Sequence, residues 1–169
     1  MGDYVDEAAT LEALAAALVH AASERGVTVA TAESCTAGLV ASTIAEVSGA
    51  SDVLRGGAVT YVDEIKHKVL GVSLDTLAHY TAVSHQTAFE MAEGARSVFG
   101  SDLAVSLTGY AGPGGGTDDD PVGTVYIGLA APQGTVVERF AFAGDRNDVR
   151  RQACARALQL LQKACVEIA

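Results

Sequence analysis

The chain has 169 residues, a length typical of one domain and sufficient to bury a hydrophobic core. Its formal net charge of −10 excludes non-specific attraction to nucleic acids or anionic membranes, so an anionic ligand would need a local group of cationic side chains. Three cysteines without framework spacing indicate free thiols, and the first residues show neither a signal peptide nor a lipidation motif, so we expect a cytoplasmic protein.

Apolar periodicity in the first part of the chain predicts helices that alternate with short strands. Helices are predicted over about 6–24, 37–47, 63–70 and 84–99. Strands are predicted over 27–32 and 57–62, each next to one of these helices. Such interleaving is typical of a layered α/β domain.

The second part of the chain adds a strand over 102–108, a loop over 109–121, and two strands over 124–129 and 135–142 that form an antiparallel hairpin. A long final helix follows. The sequence therefore predicts one three-layer α/β/α domain over 1–169, with a mixed, mainly parallel sheet and a C-terminal hairpin plus helix.

The predicted strand-to-helix junction at Ser34 is the first candidate site. Free N–H groups at a helix N-terminus carry partial positive charge and can stabilise an oxyanion beside a nucleophile. Ser34 is therefore a candidate nucleophile, with the amides of Cys35 and Thr36 as candidate oxyanion donors. The residues alone leave two alternatives open: Ser34 merely caps the helix, or the thiol of Cys35 is the nucleophile.

Lys66 is the candidate general base. It falls in the first turn of the predicted helix 63–70, where the helix dipole and burial would both lower the amine pKa from its usual value of ~10.4. Tyr61 could share a proton with the amine or orient it, whereas Glu64 would oppose the pKa shift. The alternative is a solvated lysine on an exposed helix.

The loop 109–121 is the candidate ligand loop. Gly109, Gly112, Gly114 and Gly115 follow a strand so densely that backbone amides could approach a ligand closely. The loop lacks the Lys-Ser or Lys-Thr of a P-loop, so a flexible turn is the alternative. We expect the three aspartates at 118–120 to be a solvated loop edge, with a magnesium site as the alternative.

Arg146 and Arg150 lie four residues apart and share one face near the start of the final helix. They are the candidate source of local positive charge for an anionic ligand. The alternative is that they pair with Asp145, Asp148 or other nearby acids. The four histidines lack metal-ligand spacing, so we expect no metal and no organic cofactor.

Five stretches, in this order and together, resemble the C-terminal domain family of the competence/damage-inducible protein CinA, whose members include nicotinamide-nucleotide amidohydrolases. The stretches are TAESCTAG at 31–38, GGAVTYVDEIK at 56–66, AVSHQTAFEMAEGA at 82–95, TGYAGPGGGTDDDPVGTVYIG at 108–128 and GDRNDVRRQA at 144–153. Ala37 departs from the family pattern, which often has glycine there. Long family members carry an additional N-terminal domain resembling molybdopterin-binding proteins, and the resemblance implies a stand-alone form without it.

The resemblance implies hydrolysis of nicotinamide mononucleotide to nicotinate mononucleotide and ammonia. It also implies a serine nucleophile with a lysine partner, which places these roles on Ser34 and Lys66, and it makes Tyr61 the assisting hydroxyl. Thr108 and the glycine loop 112–116 would belong to the substrate site. The family resemblance and the alanine-rich helices together suggest a homodimer.

These expectations combine into one mechanistic hypothesis. Neutral Lys66 takes the proton of Ser34 as Oγ attacks the carboxamide carbon, ammonia leaves, and water hydrolyses the acyl-enzyme. Three alternatives stay open: a hydrolase that uses Cys35 or acts on another amide, a catalytically silent nucleotide-binding module, and a magnesium-dependent enzyme built on 118–120. Neither nucleic acid nor a membrane is an expected partner.

Overall fold

The computed structural model describes residues 10–168, which form a five-stranded sheet and six α-helices. The helices are α1 (Leu11–Arg25), α2 (Leu39–Ala45), α3 (Asp63–Leu70), α4 (Leu74–Tyr80), α5 (His85–Phe99) and α6 (Arg146–Glu167). The strands are β1 (Val29–Glu33), β2 (Leu54–Val59), β3 (Leu103–Gly109), β4 (Thr124–Ala131) and β5 (Gly134–Ala141).

The sheet has the strand order β2-β1-β3-β4-β5. The strand β1 pairs in parallel with both β2 and β3, whereas β4 pairs in antiparallel with β3 and β5. Four of the five strands therefore point the same way, and β4 alone is reversed. The mixed sheet and the C-terminal hairpin predicted from the sequence are confirmed.

Helices cover both faces of the sheet, which confirms the three-layer α/β/α fold. On one face α1, α2 and α6 bury large aliphatic side chains, among them Leu18, Ile44 and Leu158. On the other face α5 lies close to the sheet because the facing residues are small. At Gly128, an added Cβ would lie 2.7 Å from the carbonyl oxygen of Ala88 in α5.

The structure differs from the predictions at several element boundaries, including both ends of β2 and the start of α2, and it contains one additional helix. The strand β2 begins and ends three residues before the predicted 57–62, because the carbonyl of Thr60 accepts a hydrogen bond from Lys66. The helix α4 was not predicted. It is a single short amphipathic segment, and its first turn is capped by Ser73, whose side chain accepts from the amide of Asp75.

Two helix starts follow ordinary capping chemistry. Thr10 caps α1, so the described helix starts later than the predicted 6–24; residues 6–9 lie outside the described part. At α6, Asp145 and Asp148 form a reciprocal capping box. Within residues 10–168, no helix is both long and apolar enough to cross a membrane.

Candidate functional site

The carboxyl ends of the three parallel strands β2, β1 and β3 meet at one edge of the sheet, and the candidate residues collect there. The backbone amide of Ser34 donates to the carbonyl of Leu107 at 2.9 Å, and the amide of Thr60 donates to the carbonyl of Glu33 at 2.8 Å. Open α/β sheets commonly bind ligands at this edge. The topology therefore brings Ser34, Thr60 and Thr108 next to one another.

The helix α3 carries Lys66 to the Ser34 hydroxyl. The Lys66 Nζ lies 3.2 Å from Ser34 Oγ, 2.9 Å from the carbonyl oxygen of Thr60 and 3.4 Å from that of Tyr61. Lys66 is only 1% exposed and Ser34 is 9% exposed. The alternative of a solvated lysine is therefore wrong.

Burial lowers the pKa of the Lys66 amine below its usual 10.5. Asp63 and Cys35 act in the opposite direction, so the opposing carboxylate is Asp63 and not the predicted Glu64. A neutral amine has two N–H bonds and one lone pair. The two carbonyls can only accept, so they take the N–H bonds and leave the lone pair facing the Ser34 hydroxyl.

The Ser34 turn differs from the predicted strand-to-helix junction. Residues 35–38 form a turn, and α2 begins only at Leu39, so Ser34 is not a helix cap. The fully buried carboxylate of Glu33 accepts from the first helix amides. Its three donors are the N–H groups of Gly38 at 3.0 Å, Val40 at 3.1 Å and Ala41 at 2.9 Å.

Glu33 is a site residue that the sequence reasoning missed. The available signal was a glutamate inside an otherwise apolar strand, because a fully buried carboxylate needs hydrogen-bond donors. By taking the helix amides, Glu33 leaves the amides of Cys35 and Thr36 as the oxyanion candidates. Within residues 10–168, neither of these two amides donates to another residue.

The thiol of Cys35 is a poor nucleophile in this setting. Burial raises its pKa to about 11, although the backbone amides of Cys35 and Thr36 lie beside the sulfur and act in the opposite direction. The thiolate is the reactive form of cysteine. At neutral pH the Cys35 thiol is therefore protonated, and the geometry favours Ser34.

The backbone conformation at position 37 explains why the family often has glycine where this chain has Ala37. Its φ of 51° lies in the left-handed region, where a Cβ is unfavourable, and Gly38 follows with a φ of 93°. Glycine at position 37 would adopt this conformation without strain. Ala37 adopts the turn conformation in spite of its methyl group.

The hydroxyl of Tyr61 contacts Arg146 rather than Lys66. Arg146 Nη2 donates to Tyr61 Oη at 2.8 Å, and Arg146 Nη1 donates to the carbonyl of Gly112 at 2.8 Å. The part of Tyr61 that contacts the amine is its backbone carbonyl. Arg146 therefore connects the segment after β2 to the glycine loop after β3.

Arg150 contacts the Ser34 turn directly. Its Nε donates to the carbonyl of Cys35 at 3.1 Å and its Nη2 donates to the carbonyl of Thr36 at 2.9 Å. Within residues 10–168, neither Arg146 nor Arg150 forms an ion pair with a carboxylate. Both cations therefore contribute positive potential at this edge of the sheet.

The glycines of the candidate ligand loop are explained by different features of the structure. An added Cβ at Gly109 would lie 2.5 Å from the carbonyl of Thr124, so this glycine permits close packing on β4. Gly112 and Gly115 both have a φ of 85°, a left-handed backbone. Gly114 has open space around it and is exposed, so its amide is free to meet a ligand.

The buried threonines at this edge differ in their hydrogen bonds. Thr108 Oγ1 donates to the carbonyl of Ala82 at 2.6 Å, which ties the end of β3 to the segment before α5. In the described part of the chain, the buried hydroxyls of Thr36 and Thr60 have no hydrogen-bond partner. Thr108 is thus held in place at the strand end beside Ser34.

The aspartate run after the glycine loop does not form a cation site. Asp120 pairs with Arg139 at 2.8 Å and accepts from the hydroxyl of Tyr126, whereas Asp118 and Asp119 are exposed. Within residues 10–168, no group of three or more His, Cys, Asp or Glu side chains could hold a metal ion. The alternative of a magnesium site gains no support.

Comparison with known proteins adds four findings. A family model described as the CinA C-terminal domain matches residues 11–165. A CinA-like protein of Myxococcus xanthus is 48% identical over 153 residues, which are 90% of this chain and 36% of the relative. The structure of competence/damage inducible protein CihA from Agrobacterium tumefaciens has a TM-score of 0.89 and 36% identity, and the match covers 98% of this chain and 99% of that chain.

A second solved structure, the competence damage-inducible protein A (ComA) from Klebsiella pneumoniae, has a TM-score of 0.91 and 35% identity, over 95% of this chain and 100% of that chain. The chain spans 36% and 40% of the length of the curated relatives from Myxococcus xanthus and Kosmotoga olearia. The matched structures agree with the three-layer fold described above.

Proposed function

From the premise that this chain belongs to the CinA C-terminal domain family, we propose that it is a serine amidohydrolase acting on nicotinamide mononucleotide. The observation that carries the proposal is the 3.2 Å contact between the buried Lys66 amine and Ser34 Oγ. A hydroxyl nucleophile needs a nearby base that is unprotonated at the working pH. Burial lowers the pKa of Lys66, which favours the unprotonated amine that this role requires.

The reaction proceeds in two steps. Ser34 Oγ attacks the carboxamide carbon while Lys66 takes the hydroxyl proton, and the amides of Cys35 and Thr36 stabilise the oxyanion. The tetrahedral intermediate collapses, Lys66 returns the proton to the nitrogen, and ammonia leaves. Lys66 then takes a proton from water as the water oxygen attacks the ester carbon. The C–Oγ bond breaks, Lys66 returns that proton to Ser34 Oγ, and nicotinate mononucleotide is released.

The cationic side chains at the site support an anionic substrate. The chain has a net charge of −10, so a phosphate would be repelled at most of its surface. Arg146 lies at the site edge without a carboxylate partner in the described residues, and it donates to the carbonyl of Gly112, two residues before the exposed Gly114. We assign the substrate phosphate to this side of the site, where Arg146 and the glycine loop meet.

The test is ammonia release from nicotinamide mononucleotide by the purified protein. Ser34→Ala and Lys66→Ala should each lower kcat/KM by at least about 10³-fold, because each removes a member of the reacting pair. Lys68→Ala is the matched control, since Lys68 is an exposed lysine of the same helix and its loss should change the rate less than about twofold.

Three results would contradict this assignment. Full activity in Ser34→Ala and Lys66→Ala would place the chemistry elsewhere. Loss of activity after iodoacetamide treatment at neutral pH, at a rate that follows Cys35 alkylation, would favour the thiol. Thermal stabilisation by nicotinamide mononucleotide without ammonia release would identify a binding module instead.

A further inference from the structure

Arg150 binds the Ser34 turn through two adjacent nitrogens of its guanidinium. Nε and Nη2 lie on one side of the group, and they donate to the consecutive carbonyls of Cys35 and Thr36 at 3.1 and 2.9 Å. This is the fork arrangement that distinguishes arginine from lysine, whose ammonium is a point charge. Nη1 adds a longer contact of 3.4 Å to Asn147 Oδ1.

The turn is therefore held from two sides by opposite charges. The carboxylate of Glu33 accepts from the amides of Gly38, Val40 and Ala41. The guanidinium of Arg150 donates to the carbonyls of Cys35 and Thr36, earlier in the same turn. The turn amides of Cys35 and Thr36 alone make no hydrogen bond to another residue in the described chain.

Hydrogen bonding at one end of a peptide unit strengthens the other end. The carbonyl of Cys35 and the N–H of Thr36 belong to the same peptide unit, and chains of hydrogen bonds polarise one another. A cation bound to that carbonyl makes the Thr36 N–H a stronger donor. This stronger donor would stabilise the oxyanion of the transition state more than it stabilises the carbonyl oxygen of the bound substrate.

We infer that Arg150 is a positioning residue that fixes the Ser34 turn and strengthens the Thr36 amide as an oxyanion donor, rather than a ligand of the substrate phosphate. The inference rests on the proposed amidohydrolase function. Two of its three donor nitrogens already hold backbone carbonyls, so phosphate binding would require the turn to be released. Arg146 also donates from two nitrogens, but its acceptors, the Gly112 carbonyl and the Tyr61 hydroxyl, lie outside the Ser34 turn, so Arg146 can contact the phosphate without moving that turn.

The experiment compares Arg150→Lys and Arg150→Gln on two substrates, nicotinamide mononucleotide and the riboside that lacks its phosphate. We expect kcat to fall by about 10- to 100-fold on both substrates while KM changes less than about twofold, because an interaction made in the transition state is weakened. Arg151→Lys is the matched control, since Arg151 is the exposed neighbour and should retain wild-type kcat.

Labelling of Ser34 by a fluorophosphonate gives a readout that does not depend on the natural substrate. The labelling rate should fall in parallel with kcat in both Arg150 variants, provided thermal denaturation shows them folded at the assay temperature. If one variant does not fold, the other decides. A structural role alone would lower the melting temperature without separating kcat from KM.

Other outcomes would overturn the inference. A rise in KM for the mononucleotide alone, with kcat and riboside turnover unchanged, would make Arg150 a phosphate ligand. If kcat, KM and the labelling rate are unchanged in both Arg150 variants, Arg150 does not position the Ser34 turn for the reaction. If wild-type Ser34 is labelled but no ammonia is released, the proposed substrate is wrong and the labelling rates alone decide on Arg150. No labelling and no turnover would refute both.

Discussion

At the scale of single residues, Lys66 combines a buried amine with three oxygen neighbours. An ammonium could donate to all three, and a neutral amine can donate to two and accept from the Ser34 hydroxyl. Burial lowers the pKa of the amine, which favours the form that can receive a proton. After the attack, the same two carbonyls and the Ser34 Oγ of the tetrahedral intermediate can accept from the ammonium.

The lowered pKa of Lys66 predicts how activity depends on pH. We expect kcat/KM to rise with pH as the free enzyme loses the Lys66 proton, with an apparent pKa below 10.5. Lys66→Arg should be inactive over the whole range, because guanidinium stays protonated. The measurement is a kcat/KM profile from pH 5 to 10. Activity of Lys66→Arg with an unchanged profile would contradict it.

The lowered pKa of Lys66 also predicts how the free energy of unfolding changes with pH. Between the lowered folded pKa and 10.5 the unfolded chain binds more protons than the folded one, so the wild-type unfolding free energy gains with rising pH in that window. Lys66→Met lacks the group and should lack this gain. Urea denaturation of both proteins at pH 7 to 10 measures it, and parallel pH dependence would contradict a lowered pKa.

The sequence analysis named both members of the Ser34–Lys66 contact but not the residues around them. Ser34 and Lys66 lie 32 residues apart, and only the family resemblance joined them before the fold was known. The helix α3, which carries Lys66, packs on α5, and no local sequence pattern reports this contact. The backbone carbonyl of Tyr61 contacts Lys66 and its hydroxyl contacts Arg146, and both contacts depend on the tertiary structure.

At the scale of elements, the Ser34 turn is stabilised by Glu33 more than by its own sequence. A turn with left-handed backbone at Ala37 and Gly38 is intrinsically unfavourable for alanine. Three hydrogen bonds to one buried carboxylate offset this strain, and each charge-assisted bond is worth about 1.5–3 kcal/mol. The start of α2 is thereby set by a side chain from β1.

Glu33→Gln tests that dependence. An amide keeps one acceptor oxygen and presents an NH₂ group to backbone donors, so the unfolding free energy should fall by about 2–4 kcal/mol and kcat should fall with it. Glu24→Gln is the matched control, because Glu24 is an exposed helix residue with surface pairs to His20 and Arg25. Chemical denaturation measures both, and equal stability of the two variants would contradict the role.

Helices and strands were predicted correctly where local sequence sets their boundaries. The predictions failed where contacts with distant residues set those boundaries. The helix Asp63–Leu70 and the hairpin β4–β5 match the pattern because their caps, turns and periodicity are local. The start of α2 did not match, since Glu33 reaches across the turn to its amides. The helix α4 has only seven residues, too short for periodicity to identify.

At the scale of the whole molecule, an acidic surface surrounds a small cationic region. The net charge of −10 opposes contact with polyanions, while Arg146 and Arg150 have no carboxylate partner in the described residues. A small anion can approach this region closely, but a long duplex would also meet the acidic surroundings. The charge distribution thus favours a small anionic ligand.

Although several relatives carry competence or damage in their names, we expect this chain not to bind DNA. An electrophoretic mobility assay with duplex DNA at about 150 mM salt should show no complex, because non-specific binding depends on releasing counterions through cationic contacts. Charge reversal of the acidic surface would supply a positive control. A complex tighter than about 10 µM under these conditions would contradict the expectation.

The bonds from Arg150 to the Ser34 turn join residues 114 and 115 positions apart in the chain. Proteins are synthesised from the N-terminus, at about 5–20 residues per second. For several seconds a nascent chain therefore carries its serine and lysine without the arginine that fixes them. Such a nascent chain, like one truncated before α6, lacks the guanidinium that holds the carbonyls of the Ser34 turn.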